Sequence, residues 1–423
     1  MDIELHPGAL KGEINIPASK SYCHRAIIGA SLSKGSSNLE NILFSKDIHA
    51  SIAAMESLGT KIEINQDKLT VKGEGYPVLK KTEINCNESG STLRFLIPIA
   101  LLQQEEVAFD GRGRLRERPL TPYIDIFKEK NIAFSKADGL PLKVKGPLAP
   151  GEYRLAGNVS SQFVTGLLYA LPLLEGDSKL VITTELESKG YVDMTLDVLS
   201  KFSVQIENKN YREFYIKGNQ QYKPIDYRVE GDFSQAAFWL CAGTINGDIV
   251  CKDINLNSLQ GDKAIINILK EMGAKLEFGE NSVSAKKTVT HGITIDASEC
   301  PDLVPVLAVI GALSEGTTRI INAGRLRIKE SDRLKAVATE LNNLGAKVEE
   351  LEDSLIIEGV ASLKGGMVNT WNDHRIAMAM AIASLKCVNP VIIKESDCIN
   401  KSYPGFFHDF ADLGGITDEW SLG

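Results

Sequence analysis

The sequence predicts an α/β (α+β) fold of two inside-out domains, each made of three repeated units of about 70 residues with buried helices and outer sheets. Three observations lead there. A short phrase recurs at near-constant spacing, and a series of strongly apolar helices recurs in step with it. At 423 residues the chain is also too long for one ordinary core.

The phrase is clearest in "LGTKIEI" from Leu58, "MGAKLEF" from Met272 and "LGAKVEE" from Leu344, with weaker copies at "EKNIAFS", "KFSVQIE" and "DLGGITD". Aligning Gly59, Asn131, Ser203, Gly273, Gly345 and Gly414 gives spacings of 72, 72, 70, 72 and 69 residues. Each copy follows an amphipathic helical stretch, such as the one that places Ile265, Ile268, Leu269 and Met272 on one face. The Gly suits a helix C-terminus, and the alternating residues after it read as a strand.

The apolar helices are "SKSYCHRAIIGASL", "NESGSTLRFLIPIALL", "NVSSQFVTGLLYALPLL", "GDFSQAAFWLCAG", "ECPDLVPVLAVIGAL" and "NDHRIAMAMAIASL". Matching Ser21, Ser89, Ser160, Asp232, Asp302 and Asp373 spaces them by 68, 71, 72, 70 and 71. The unit therefore reads strand, buried helix, strand, amphipathic helix, strand, with hairpin-like punctuation between units. A helix apolar on all sides belongs inside, so the sheets belong outside. Simple N-capping accounts for Asp232 or Asn158. It does not account for Lys20, Arg25, Arg94 and Arg375, because cations oppose the positive end of a helix dipole. They make sense if an anion binds among them with help from backbone N–H groups.

Three further stretches concentrate charge. "GRGRLRERPLTPYID" (111–125) carries Arg112, Arg114, Arg116 and Arg118 before a Pro-started helix. One or two of these arginines read as a solvated loop, and the Gly-x-Gly lacks the third Gly of a dinucleotide site. "GRLRIKESDRL" (324–334) mixes Arg327, Lys329 and Arg333 with Glu330 and Asp332, a pattern whose commonest meaning is surface pairing at i,i+3 or i,i+4. "INKSYPGFF" (399–407) puts Lys401 before a Pro-Gly turn. Together they offer many cations for phosphate or carboxylate groups, a few acid/base carboxylates and no nucleophile in an obvious setting. That suits a transferase of small, multiply anionic substrates, with no metal and no cofactor and with water excluded by closure of a cleft between the halves.

The totals narrow the class. A composition of 43% apolar and 24% charged residues is that of a soluble globular protein, and the net charge of -8 weighs against nucleic acid as a partner. No apolar run spans a bilayer, and "MDIELHPGAL" has neither the basic start nor the apolar core of a signal peptide. Seven Cys without a C-x-x-C fit reduced thiols in a cytosol, and six His without H-E-x-x-H argue against zinc.

Ten motifs, in order from residue 18 to 407, resemble those of the 5-enolpyruvylshikimate-3-phosphate synthase family: "ASKSYCHRA", "ESGSTLRF", "RERP", "VSSQF", "GDFSQAAF", "QGD", "CPDLVP", "RIKESDRL", "NDHRIAM" and "KSYPGFF". The resemblance implies two inside-out domains of three repeats, 19–230 and 1–18 with 231–423, and an active site in the cleft between them. It implies transfer of the enolpyruvyl group of phosphoenolpyruvate to the 5-hydroxyl of shikimate 3-phosphate by addition and elimination, with release of phosphate. The setting would be the shikimate pathway of aromatic amino-acid biosynthesis, the protein a cytoplasmic monomer. Shikimate 3-phosphate would be held by Lys20, Ser21, Arg25, Ser160, Ser161, Gln162, Ser188, Tyr191, Asp302 and Lys329. Phosphoenolpyruvate would be held by Lys20, Gly90, Arg94, Arg118, Gln162, Arg333, His374, Arg375 and Lys401. Asp302 would be the base for the hydroxyl and Glu330 the proton donor to the methylene, with Lys20 sharing that work.

Glu88 stands where many members carry Asn, and Arg325 where a substrate-binding Asn is usual. His24 has no role in this scheme and is left facing solvent or the hinge. Three rival readings exist, and one of them, an RNA-end-processing relative of the repeat fold, is disfavoured by the acidic total charge. A UDP-N-acetylglucosamine enolpyruvyl transferase shares fold and donor, but its mobile loop commonly carries a Cys and residues 111–120 contain none. A non-catalytic metabolite-binding member of the fold would have lost acid/base residues that are present here.

Overall fold

The computed structural model describes residues 1–135 and 139–420. The chain divides into two compact units, Ala18–Val229 and Met1–Pro17 with Glu230–Gly423, one residue before each expected boundary. Each unit has its own apolar core and three four-stranded sheets.

One repeat shows the plan of all six. Glu83–Asn85 runs parallel to Glu106–Asp110, with the helix Gly90–Ala100 between them in the chain. Glu106–Asp110 pairs antiparallel with Leu142–Lys145, which pairs in turn with Ala133–Phe134. The helix Thr121–Lys130 precedes that last hairpin. The unit is thus βαβαββ, one strand more than the sequence pattern predicts, because the hairpin-like stretch that closes the unit contributes a second strand, here Leu142–Lys145, to the unit's own sheet.

The first repeat of each unit takes its opening strand from elsewhere in the chain. Tyr227–Arg228 lies parallel to Lys34–Glu40 in the Ala18–Val229 unit. Leu10–Asn15, although it precedes the Lys20–Leu32 helix, lies parallel to Gly247–Lys252 in the other unit. The chain therefore crosses between units twice, at Pro17–Ala18 and at Val229–Glu230.

The inside-out arrangement is observed. Val304–Ala312 and His374–Ser384 are buried along their whole length. Strands such as Ser178–Ile182 and Thr317–Ile321 alternate between buried and more accessible residues, as sheets with one wet face do. The helix ends explain the recurring phrase. Gly59, Gly273, Gly345 and Gly414 have φ of 101°, 92°, 90° and 95°, and Asn131 and Ser203 adopt 54° and 68°. All six aligned positions are left-handed, a conformation that glycine enters without a steric penalty.

At the helix starts, Ser89, Ser160, Asp232 and Asp373 accept from backbone N–H groups two or three residues on. The first helix corrects the alignment: its cap is Ser19, accepting from the Tyr22 N–H, and not Ser21. Asp302 departs from the pattern, lying in the turn Pro301–Leu303 with its carboxylate given to arginines instead of to a cap. No helix among the described residues is long and apolar enough to cross a membrane.

Candidate active site

In the Glu230–Gly423 unit, a dense ion network gathers where two buried helices, Val304–Ala312 and His374–Ser384, and the amphipathic helix Arg333–Asn343 begin. Asp302 Oδ1 accepts from Arg333 Nη1 at 2.8 Å and lies 3.4 Å from Lys329 Nζ, while its Oδ2 accepts from Arg375 Nη2 at 3.1 Å. Arg333 also donates to Glu330 Oε2 at 2.6 Å and to Asp373 Oδ2 at 2.8 Å, so one buried guanidinium bridges three carboxylates. The segment that holds Glu330 and Arg333 does contain an i,i+3 pair, but Arg333 is buried and the pair is not the surface pairing that base rates favour. His374 is buried beside Asp373. Lys401, also buried, donates to the Asn372 carbonyl at 2.6 Å.

The electrostatics follow from this packing. Burial alone would raise the Asp302 pKa, but Arg375, Lys329 and Arg333 outweigh it and hold the carboxylate well below its ordinary value. Burial lowers Lys329, against the pull of Asp302. Behind them, burial pushes Asp262 up to about 7, and the negative charge of Asp302 adds to that. Asp262 accepts from the Ser234 hydroxyl.

The Ala18–Val229 unit gathers a second cationic group at the corresponding helix starts. Lys20 Nζ lies 2.8 Å from Asp47 Oδ2. Arg25 is buried, donating to the Thr195 hydroxyl and to the carbonyls of Ser21 and Tyr191, each at 2.9 Å, with its guanidinium over the Phe95 and Tyr191 rings. Arg94 donates to Gln162 Oε1 at 2.8 Å and lies over Phe163. Gln162 in turn donates to the Ser91 hydroxyl at 2.9 Å, and Ser160 caps the helix that Ser161 opens.

Two backbone devices place Arg94 and Arg118. Pro98 cannot donate to the Arg94 carbonyl four residues back, and the Tyr123 hydroxyl donates to it instead at 2.7 Å. Gly90 has no Cβ, and one built there would stand 2.6 Å from Arg118 Nη1, so glycine lets this buried guanidinium lie against the helix start. Of the other arginines in that run, Arg116 pairs with Asp110 at 2.7 Å, and Arg112 and Arg114 are exposed. Ser188, with φ of 56°, introduces the helix that carries Tyr191 and Thr195.

The predicted residues divide between the two units. Lys20, Ser21, Arg25, Gly90, Arg94, Arg118, Ser160, Ser161, Gln162, Ser188 and Tyr191 belong to the first unit; Asp302, Lys329, Glu330, Arg333, His374, Arg375 and Lys401 belong to the second. Arg325, the departure noted above, donates to the Ser298 carbonyl at 2.5 Å. His24 corrects an expectation: it is buried, with Nδ1 2.7 Å from the Ser51 hydroxyl, and does not face solvent. Sequence reasoning assigned no site role to Asp47, Thr195, Asp262 or Asp373. Asp262 lies in the quoted "QGD" and Asp373 was visible as a helix start, whereas nothing local marks Asp47 or Thr195 as partners of Lys20 and Arg25.

Solved structures place the architecture in a class. The fold is shared with the enolpyruvyl transferase NikO from Streptomyces tendae, at a TM-score of 0.80 with 16% identity, covering 99% of this chain and 98% of that one. An EPSP synthase from Acinetobacter baumannii matches at a TM-score of 0.82 with 24% identity, over 99% and 100% of the two chains. The sequence is more specific than the fold. The model of the family described as EPSP synthase (3-phosphoshikimate 1-carboxyvinyltransferase) matches residues 5–410. Proteins named 3-phosphoshikimate 1-carboxyvinyltransferase from Clostridium novyi and Clostridium acetobutylicum are 60% and 58% identical, across 100% of this chain and 99% of each relative. The chain belongs to the EPSP synthase family.

Proposed function

We propose that this chain transfers the enolpyruvyl group of phosphoenolpyruvate to the 5-hydroxyl of shikimate 3-phosphate, releasing phosphate, within the shikimate route to aromatic amino acids. The observation that carries the reading is the Asp302–Arg333–Glu330 arrangement, with a base candidate and an acid candidate bonded to one buried guanidinium. Both carboxylates survive beside the full set of cations, which speaks against a non-catalytic member of the fold.

The chemistry runs as addition then elimination. Glu330 protonates the methylene carbon of phosphoenolpyruvate, making a methyl group and a cationic centre at the adjacent carbon. The acceptor hydroxyl attacks that centre while Asp302 takes its proton. In the elimination half the bond to the phosphate oxygen breaks, and the methyl group returns a proton to Glu330. The proton on Asp302 leaves with phosphate. Arg333 and Arg375 offer planar, multiply donating groups to the donor's phosphate and carboxylate. Their charge first opposes proton uptake by Asp302, which the cations keep weakly basic, and Arg333 holds the Glu330 carboxylate in an ion pair. A multiply charged anion bound to those arginines reverses this by adding negative charge beside both carboxylates, so that each becomes competent when substrate is present.

In the Ala18–Val229 unit, Lys20, Ser21, Arg25, Ser160, Ser161, Gln162, Ser188 and Tyr191 bind the acceptor, and Gly90, Arg94 and Arg118 bind the donor. The seven cysteines are all free and buried, which suits a reduced cytosolic protein. The test incubates purified protein with phosphoenolpyruvate and either acceptor and follows phosphate. Release with shikimate 3-phosphate is expected; release only with UDP-N-acetylglucosamine would overturn the assignment in favour of the sister enzyme.

A further inference from the structure

His24 lies between Lys20 and Arg25 in the helix Lys20–Leu32, yet the proposed chemistry does not use it. Its imidazole is 1% exposed, and its Nδ1 is 2.7 Å from Ser51 Oγ. Ser51 Oγ is in turn 2.7 Å from Thr92 Oγ1, and the Thr92 hydroxyl donates to Ser89 Oγ at 2.7 Å. Ser89 is the cap of the helix Gly90–Ala100 and also accepts from the Thr92 backbone N–H. A continuous chain of side-chain hydrogen bonds therefore runs from His24, through the helix Lys46–Ser57, to the start of the helix that presents Gly90 and Arg94.

Counting protons gives this chain a direction. Thr92 has one hydroxyl proton and spends it on Ser89, so the Ser51 hydroxyl must donate to Thr92. Ser51 then has no proton left, and His24 must donate to it from Nδ1. That makes His24 the Nδ1–H tautomer, with Nε2 a bare lone pair that finds no hydrogen-bond partner among the described residues. Burial and the charges of Lys20 and Arg25 both disfavour a second proton, keeping the ring neutral.

We propose that His24 is a positioning residue for the donor site: as the neutral Nδ1–H tautomer it heads the Ser51–Thr92–Ser89 chain and thereby fixes the start of the Gly90–Ala100 helix against the helix that carries Lys20. The inference deepens the functional reading and rests on it only in naming phosphoenolpyruvate as the ligand of that helix start.

Two measurements test it. The imidazole ¹⁵N spectrum at neutral pH, assigned by loss of one resonance set in His24→Asn, reads the tautomer without turnover and so independently of the assigned activity. A protonated Nδ1 and a bare Nε2 are expected; a protonated Nε2 overturns the direction of the chain and with it the proposal. The second is steady-state kinetics, in which Ser51→Ala and His24→Leu each raise the KM for phosphoenolpyruvate about tenfold, the loss of one buried hydrogen bond, with the KM for shikimate 3-phosphate changed far less. The double variant is no worse than either single one, and His24→Asn, whose amide donates from the Nδ1 position, restores the wild-type KM. Equal shifts in both KM values, or a lowered melting temperature with both KM values unchanged, would show a merely structural histidine.

Discussion

Two buried arginines, Arg333 in one cluster and Arg25 in the other, are held on opposite electrostatic plans. In the Glu230–Gly423 unit, Arg333 is held by Asp302, Glu330 and Asp373, so its charge is met by carboxylates before any substrate arrives. In the Ala18–Val229 unit, Arg25 is equally buried but is held by one hydroxyl, two carbonyls and aromatic faces, all neutral. The first plan makes an exchange site, where an incoming anion competes for cations and in doing so alters the basicity of Asp302. The second makes a receptor, where the cation is fixed in place with its charge still available to an anion. The two carboxylate candidates, Asp302 and Glu330, both bond to Arg333, the exchange arginine.

The comparison can be broken most severely at Asp302. Asp302→Asn keeps the shape and removes the base, and turnover is expected to fall by about 10²–10⁴ while both substrates still bind by calorimetry. Loss of binding in a folded variant would make Asp302 a positioning group only. A second contrast sets the two buried arginines side by side in denaturant unfolding. Arg333→Leu strands carboxylates in the interior and is expected to cost about 3–5 kcal/mol. Arg25→Leu strands only neutral acceptors and is expected to cost about 1–3 kcal/mol. Equal costs would mean that charge compensation does not distinguish the clusters.

A third contrast is read through pH, at Asp262. An acid whose pKa is higher in the folded chain contributes stability below its unfolded value, and that contribution is lost as pH rises towards the folded value of about 7. Between roughly pH 4 and 7 this group therefore tilts wild-type stability downward with rising pH, by at most about 1.4 kcal/mol per unit. Asp302, held low, has the opposite sign: its contribution is present above the ordinary carboxylate value and fades only as pH falls through the depressed one. Melting curves of Asp262→Asn and wild type should differ least at the acid end of that range, where Asp262 is protonated folded and unfolded, with wild type losing stability relative to the variant as pH rises. A constant offset would remove it from the network.

Much of this fold was legible because the repeat forces the same physical solution six times. A left-handed residue ends each amphipathic helix, which is why Gly59 and Gly345 could be aligned with Asn131 and Ser203 despite their different side chains. Which unit each opening strand joins was not legible locally, because Leu10–Asn15 has the same pattern wherever it pairs. The alignment of Ser21 in place of Ser19 erred because both flank the same helix start, and only the hydrogen bond to Tyr22 tells them apart. In the site, cations at helix starts stood out as electrostatic anomalies. Their partners did not: Asp47 lies 27 residues from Lys20 and Thr195 lies 170 from Arg25, distances that only folding closes.

The central claim is that catalysis proceeds by protonating the donor's methylene carbon and later removing a proton from the resulting methyl group. Running the reaction in D₂O with phosphoenolpyruvate and shikimate 3-phosphate, and examining the enolpyruvyl methylene of the product by mass spectrometry and proton NMR, tests it directly. Deuterium in that methylene is the result this account predicts. A product formed at full rate with no deuterium there would contradict it, since direct displacement of phosphate never makes the methyl group.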